Sequence, residues 1–138
     1  MSMYHLETTR DMNEILGYLN NDEKLAVMQV GYQLIEGAAN ATGRRICEQD
    51  EASVDIIIES VTMPSGNAFL DKCIYNQMWN EAIWMNPYEA FAIVKKFDKE
   101  EKAAFKEMML NVARKDMVAL RMDILKQTFE KVDIYEYE

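Results

Sequence analysis

The scarcity of helix-breaking residues limits the fold of this sequence more than any other feature. Only 5 glycines and 2 prolines occur in 138 residues. The long stretches between them are rich in Ala, Leu, Met, Glu, Lys and Gln, which lose little rotamer freedom in a helix. The sequence therefore predicts an all-α fold, a compact bundle of about six or seven helices.

Local signals predict where several helices begin. Asn20 with Glu23, and Asp98 with Glu101, have the spacing of a capping box, in which each residue's side chain accepts a hydrogen bond from the other's amide. Asn86 precedes a proline, and proline is favoured at the first position of a helix. We predict that helices begin just after these three capping residues, and that Asn67 opens another.

Apolar residues recur every three or four positions in most segments, as on the buried face of a helix. The first helix is expected to begin near Thr9. The residues predicted to face the core are Met12, Ile15, Leu16 and Leu19; Leu25, Met28, Tyr32, Ile35 and Ala39; Ala52, Ile56 or Ile57, and Val61; Leu70, Cys73, Ile74, Met78 and Ala82; and Ala104, Phe105, Met108, Met109 and Val112. A seventh helix is predicted to run to about Val132 through Val118, Leu120, Ile124, Leu125, Thr128 and Phe129.

The size of the chain is that of one domain. A mass of 16.1 kDa with 49% hydrophobic residues is enough to build a core without disulfides or a structural metal. We expect residues 1–138 to form a single helical domain. Residues 1–8 and 133–138 are expected to be flexible termini.

The charge of the chain argues against nucleic acid as a ligand. Twenty-four acidic and 15 basic residues give a formal charge of −9, which repels phosphate backbones and anionic lipid headgroups. An acidic surface instead favours a cation or a basic protein as partner.

Neither export nor membrane insertion is indicated. The N-terminus lacks the basic start and the apolar stretch of a secretion signal. The most apolar window, 56–58, is far shorter than the roughly 20 residues of a membrane span. Cys47 and Cys73 lack C-x-x-C spacing, and we interpret them as small buried side chains in a reducing cytoplasm. A cytoplasmic location is therefore expected.

Two stretches of the sequence have a similar form, in which an alanine near a helix end precedes a polar turn and then an acidic residue. The first is 36–46, followed by Asp50 and Glu51, and the second is 111–118, followed by Asp123. In one frame they form a degenerate internal repeat, which suggests two pseudo-repeated helical halves. This arrangement resembles the tellurite-resistance TerB-like family, whose all-helical domain carries two Ala-x-x-Asp-Gly-like turns.

The resemblance covers about residues 25–132, but it departs from the family at two positions. Thr42 stands where the first turn would have Asp, and Met117 stands where the second would have Gly. In family members that bind a cation, loop carboxylates would be the ligands. The resemblance therefore implies a degenerate divalent-cation site whose remaining ligands are Asp50, Glu51, Asp116 and Asp123.

Groups for catalysis are scarce in the sequence. Its one histidine is His5, in a segment expected to be a mobile terminus, and no Gly-rich phosphate loop or EF-hand pattern is present. We therefore expect no enzymatic activity and no cofactor other than the divalent cation. A carboxylate-based metal hydrolase using the four residues of the implied cation site remains an alternative.

A cluster of aromatic and methionine residues crowds the predicted junction of the fourth and fifth helices, and not all of it can face inward. Exposed clusters of this composition are typical of protein-binding surfaces. The residues predicted to bind a protein partner are Trp79, Trp84, Met85 and Tyr88.

Two functional hypotheses follow. The first is a non-enzymatic, cytoplasmic helical interaction module resembling TerB-like proteins, with a protein partner. The alternative is a small acidic inhibitor or immunity-type protein whose negative face covers a basic partner. Homo-oligomerisation remains open under both.

Overall fold

The computed structural model describes residues 11–41, 48–62 and 65–115. For residues 37–41, 48–53 and 113–115 it describes the backbone alone. The predicted seventh helix and the predicted flexible termini lie outside this part of the chain.

The described residues form six α-helices, which confirms the all-α prediction. They are α1 (Met12–Gly17), α2 (Asn21–Ala41), α3 (Glu48–Val61), α4 (Ala68–Ile83), α5 (Pro87–Lys95) and α6 (Lys99–Lys115). Within this part of the chain, no helix has the length and the apolar composition needed to cross a bilayer.

Both predicted capping boxes are formed. Asn20 Oδ1 accepts the Glu23 amide at 2.8 Å, and Glu23 Oε1 accepts the Asn20 amide at 3.0 Å. Asp98 and Glu101 make the same reciprocal pair at 2.8 and 3.0 Å. Each pair satisfies amides that the first turn of a helix leaves without a backbone partner.

The first helix begins at Met12, three residues later than predicted. Asp11 has an extended backbone (φ −75°, ψ 152°), and its side chain accepts the Asn13 amide at 2.8 Å. An acidic cap at this position fixes the helix start. The predicted apolar face of α1 is otherwise confirmed, since Ile15, Leu16 and Leu19 are buried.

The second helix lies at the centre of the fold and is buried on more than one side. All seven residues of 25–31 are buried, whereas the sequence predicted a single apolar face. Helix α2 contacts α3, α4 and α5, while α1, α3 and α6 contact one another. Contacts on several sides explain why one helical face could not account for its burial.

A glycine allows α2 and α3 to approach closely. A Cβ atom added at Gly31 would lie 2.8 Å from Ile57 Cδ1, closer than carbon atoms pack. Ile57 is fully buried, with Ile58 and Val61 beside it on α3. The absence of a side chain at Gly31 therefore leaves room for the end of the Ile57 side chain between these two helices.

The predicted core of α6 is confirmed, because all five of its predicted residues are buried. They are Ala104, Phe105, Met108, Met109 and Val112. Met28 of α2 is also fully buried, in keeping with the use of flexible thioethers to fill irregular gaps.

The predicted core face of α4 is largely wrong. Leu70, Cys73 and Ile74 are exposed, and of the predicted face only Ala82 is fully buried. The buried side of α4 instead carries Asp71. Apolar residues occur on both sides of this helix, so their spacing does not determine which side packs against α2.

Asp71 can be buried because its carboxylate has hydrogen-bond partners. Its oxygens accept the Ser65 amide at 2.9 Å and the Ser65 hydroxyl at 2.7 Å. Asn67 caps α4 as predicted, since its Oδ1 accepts the Leu70 amide at 3.1 Å. These bonds fix the turn before α4 and thereby the rotation of the helix.

Candidate interaction surface

A short turn between α4 and α5 presents the aromatic residues predicted to bind a partner. Helix α4 ends at Ile83. Asn86 is the N-cap of α5, and its Oδ1 accepts the backbone amides of Tyr88 and Glu89 at 2.8 and 3.3 Å. Trp84 and Met85 lie in the turn between these two ends. Only Trp84 and Met85 separate the last residue of α4 from the N-cap residue of α5, so the turn is short.

A buried glutamine attaches this turn to the central helix. Gln29 of α2 is 2% exposed, and its amide nitrogen donates to the carbonyls of Ala82 at 2.8 Å and Met85 at 2.9 Å. Its side-chain oxygen accepts a hydrogen bond from the side-chain nitrogen Nε2 of Gln33 at 2.9 Å. Gln29 thus gives the Met85 carbonyl a donor and adds a second donor to the Ala82 carbonyl, which also accepts the Met85 backbone amide at 3.1 Å.

The structure places the four predicted protein-binding residues in different environments. Trp84 and Tyr88 are 85% and 87% exposed, and Met85 is half-buried. Trp79 is also half-buried and packs edge-on against Tyr32, with ring centroids 5.4 Å apart. Two of the four aromatic and methionine side chains are therefore free to meet a partner, and Trp79 mainly joins α4 to α2.

Trp84 borders an open groove between α2 and α4, here called the Trp84 groove. Its volume is about 870 Å³. Its lining residues come from the start of α2 and the end of α4, and they are Asp22, Leu25, Gln77, Asn80, Glu81, Trp84 and Met85.

The Trp84 groove combines an aromatic face with negative charge. Leu25 and Met85 supply apolar surface, while Asp22 and Glu81 are exposed carboxylates. An indole face attracts a cation, and nearby carboxylates add to that attraction. The chemical group that best fits this groove is a lysine ammonium or an arginine guanidinium.

A second depression of about 520 Å³ lies between α1, the end of α3 and α4. Asp11, Glu14 and Glu59 contribute carboxylates to its lining, with Tyr18 and Tyr75 beside them. Among the residues that the structure describes, however, no three Asp, Glu, His or Cys side chains gather closely enough to hold a metal ion.

The residues of the implied cation site lie mostly beyond the described structure. Asp50 and Glu51 are in the first turn of α3, where the backbone alone is described. Asp116 and Asp123 lie outside the described residues, as do Thr42 and Met117. The cation site therefore stays a prediction.

Of the two cysteines and the histidine of the chain, one lies within the described residues. Cys73 is exposed on α4, which corrects the prediction that it is a buried core residue. His5 and Cys47 lie outside the described residues.

Among the residues that the structure describes, Tyr32 is the one whose pKa the fold clearly shifts. Its partial burial raises the pKa of the phenol above the ordinary value of 10.0, and the nearby Glu36 carboxylate raises the pKa further. The Tyr32 hydroxyl donates to Glu36 Oε2 at 3.5 Å. Tyr32 therefore keeps its proton to a higher pH than an unperturbed tyrosine does.

The polar residues of the Trp84 groove were not predicted from the sequence. Gln77, Glu81 and Trp84 follow one another at spacings of four and three, so their position on one side of α4 could have been found from helical periodicity. Asp22 could not have been found in this way, because it reaches the groove from a different helix.

Comparison of the chain with protein-family models, with curated proteins and with solved structures finds no match. The resemblance to TerB-like proteins therefore rests on the two sequence stretches alone.

Proposed function

We propose that this chain is a cytoplasmic, non-enzymatic helical interaction module that binds a protein partner through the Trp84 groove. The observation that carries the proposal is the position of Trp84, an exposed indole beside the carboxylates of Asp22 and Glu81. Exposing a large aromatic side chain leaves apolar surface in water, and burying it against a partner recovers that free energy.

The partner that fits best presents a basic segment. The groove holds two carboxylates, and the chain as a whole carries a charge of −9. Complementary charge speeds encounter and excludes acidic competitors. A lysine or arginine side chain would place its cation over the Trp84 ring and its alkyl stem against Met85.

The groove also has the rigidity that recognition requires. Gln29 of α2 donates hydrogen bonds to the carbonyls of Ala82 and Met85, and Asn86 caps the helix that follows. A fixed turn loses little conformational freedom when a partner binds.

The resemblance to TerB-like proteins extends this proposal to a degenerate divalent-cation site at Asp50, Glu51, Asp116 and Asp123. Thermal unfolding with and without millimolar calcium, magnesium, manganese or zinc tests it, because an ion that binds the native state raises its stability. A rise in Tm that Asp116→Asn abolishes would support the site, and no rise with any of the ions would count against it.

The proposed groove is tested with a fluorescein-labelled hexalysine peptide and fluorescence anisotropy at low ionic strength. The variant Asp22→Asn/Glu81→Gln removes both groove carboxylates. We expect its Kd to rise about tenfold, equivalent to about 1.4 kcal/mol. Trp84→Ala should weaken binding to a similar extent, since it removes the aromatic face.

A matched control separates the groove from the overall charge. Asp55→Asn/Glu59→Gln removes two exposed carboxylates from α3, so both double variants change the charge from −9 to −7. The proposal expects the control variant to bind the peptide nearly as well as the wild type does. Equal weakening in the two double variants would show that only net charge matters and would overturn the proposal.

The acidic groove also supports the second candidate, a small inhibitor or immunity-type protein that covers a basic active site. That candidate expects one basic enzyme to co-purify with the chain, to dissociate in high salt and to lose activity when the chain is added back. A partner whose activity the chain leaves unchanged would favour the interaction module instead.

A further inference from the structure

Exposed apolar residues continue from the Trp84 groove toward the start of α4. Leu70 and Ile74 are exposed on this helix, and Phe69 beside them is 80% exposed. Large apolar side chains that sit together at a surface are typical of interaction sites.

These residues and the groove share one side of α4. The positions of Leu70, Ile74, Gln77, Glu81 and Trp84 follow a spacing of four, three, four and three, which keeps side chains on one helical face. At 1.5 Å per residue, the stripe is about 21 Å long. We refer to these five residues as the α4 stripe.

The two ends of the α4 stripe differ in chemical character. Its first half is apolar, with Leu70 and Ile74. Its second half carries Glu81 and lies beside Asp22 and the exposed indole of Trp84. A partner that covers the whole stripe must therefore be apolar at one end and basic at the other.

We propose that the α4 stripe docks an amphipathic helix of a partner protein, with apolar side chains over Leu70 and Ile74 and a lysine or arginine in the Trp84 groove. The inference rests on the proposed function and adds the form of the partner. A helix of about four turns matches the length of the stripe and can present both kinds of residue on one side.

Charge argues against a second copy of this chain as the occupant. A symmetric pair would repeat the same stripe on both sides, and the stripe contains Glu81 but no cationic residue. Two copies would also bring together net charges of −9 each, which repel.

The test uses an alanine-based helical peptide of about 16 residues, labelled with fluorescein. It carries two leucines one turn apart in its first third and two lysines one turn apart in its last third, all on one face. A second peptide of the same composition interleaves the leucines and lysines. We expect the segregated peptide to bind at least about tenfold more tightly, since it alone meets both halves of the stripe.

Two variants of the protein assign the contacts. Leu70→Ser/Ile74→Ser should weaken the segregated peptide about tenfold and leave hexalysine binding unchanged, while Asp22→Asn/Glu81→Gln should weaken both ligands. Because Leu70 and Ile74 are exposed, the serine variant should fold, and circular dichroism with thermal unfolding checks this. Phe69→Ser is a second variant for the apolar end.

The outcomes separate this inference from the proposed function. Equal affinity for the two helical peptides, with hexalysine binding still dependent on the groove, would overturn the inference and leave the proposed function standing. Hexalysine binding that ignores the groove carboxylates would overturn the proposed function. A wild-type dimer in sedimentation that Leu70→Ser/Ile74→Ser dissociates would assign the stripe to a second copy and would overturn the inference.

Discussion

The side-chain amide nitrogen of Gln29 on α2 donates a hydrogen bond of 2.8 Å to the backbone carbonyl of Ala82 on α4, 53 residues away in the sequence. The same nitrogen donates to the Met85 carbonyl at 2.9 Å. One buried side chain on α2 therefore holds both the end of α4 and the turn that carries Trp84.

Replacing Gln29 should destabilise the fold and disturb the groove. Gln29→Leu keeps the approximate size of the side chain but removes the donor to the Met85 carbonyl and one of the two donors to the Ala82 carbonyl, which keeps the Met85 amide. A buried polar group that loses its partner costs about 1–3 kcal/mol, so we expect a loss of about 1–3 kcal/mol in the free energy of unfolding. Urea denaturation measures it.

The matched control for this prediction is Gln77→Leu, the same substitution at an exposed position of α4. Its effect should stay within about 0.5 kcal/mol. A loss at Gln29 no larger than the loss at Gln77 would contradict the structural role of the buried amide.

Two neighbouring asparagines should differ in their contribution to stability. Asn20 forms the capping box with Glu23, whereas Asn21 is an exposed residue in the first turn of α2. Asn20→Ala should cost about 1 kcal/mol, because amides at the helix start lose their acceptor. Asn21→Ala should change stability by a few tenths of a kcal/mol at most.

The same denaturation experiment compares the two asparagine variants directly. Glu23→Gln should retain most of the stability, since an amide oxygen can also accept the Asn20 amide. Equal losses at Asn20 and Asn21 would mean that the capping box contributes nothing measurable.

The contact between Gly31 of α2 and Ile57 of α3 predicts that a substitution at one residue can offset the effect of a substitution at the other. Gly31→Ala gains about 1 kcal/mol in helix propensity, but its Cβ would meet Ile57 Cδ1 at 2.8 Å. Because Ile57 is fully buried, its side chain has little room to move, and we expect a net loss of about 1–2 kcal/mol.

Removing the clashing methyl should reverse this loss. Ile57→Val deletes Cδ1 and alone costs about 1 kcal/mol. The double variant Gly31→Ala/Ile57→Val should be more stable than the sum of the two single effects predicts, by at least about 1 kcal/mol. Additive behaviour in this double-mutant cycle would show that the two residues do not limit the helix spacing.

Stability should fall at alkaline pH through Tyr32. Burial and the Glu36 carboxylate raise the pKa of Tyr32 in the folded state above 10.0, so the unfolded chain ionises first. The stabilising contribution is complete below about pH 10 and is lost as the pH rises through the folded-state pKa. Thermal unfolding between pH 8 and pH 11.5 should show this decline.

Two variants assign the alkaline decline to this pair. In Tyr32→Phe the part of the decline that belongs to Tyr32 should disappear. The wild type should therefore lose stability relative to the variant as the pH rises above 10. Glu36→Gln should reduce the decline without abolishing it, because burial remains the larger cause. A difference that stays constant with pH would contradict this prediction.

Local chemistry explains what the sequence could predict about the fold. The capping pairs at Asn20 and Asp98 act over three residues, so their spacing alone identifies the helix starts. The apolar spacing of α6 was also sufficient, because its predicted core residues, Phe105 and Met108 among them, all lie on one buried face.

The errors came from features that apolar spacing does not reveal. The rotation of α4 is set by Asp71, whose burial depends on Ser65, and apolar spacing favoured the opposite face with Leu70. The Trp84 groove needs Asp22 as well, and no local pattern connects that residue with the end of α4. The four carboxylates of the implied cation site remain untested by the described structure.

The attachment of α4 and α5 to the rest of the protein has a consequence for dynamics. Helix α4 contacts α2 and, less extensively, α3, while the main contact of α5 is with α2. Local opening of α4 must therefore separate this helix from α2. Because one wall of the Trp84 groove belongs to α2 and the other to α4, each such opening event dismantles the groove. A bound partner would therefore slow amide hydrogen exchange throughout α4, including at residues it does not touch.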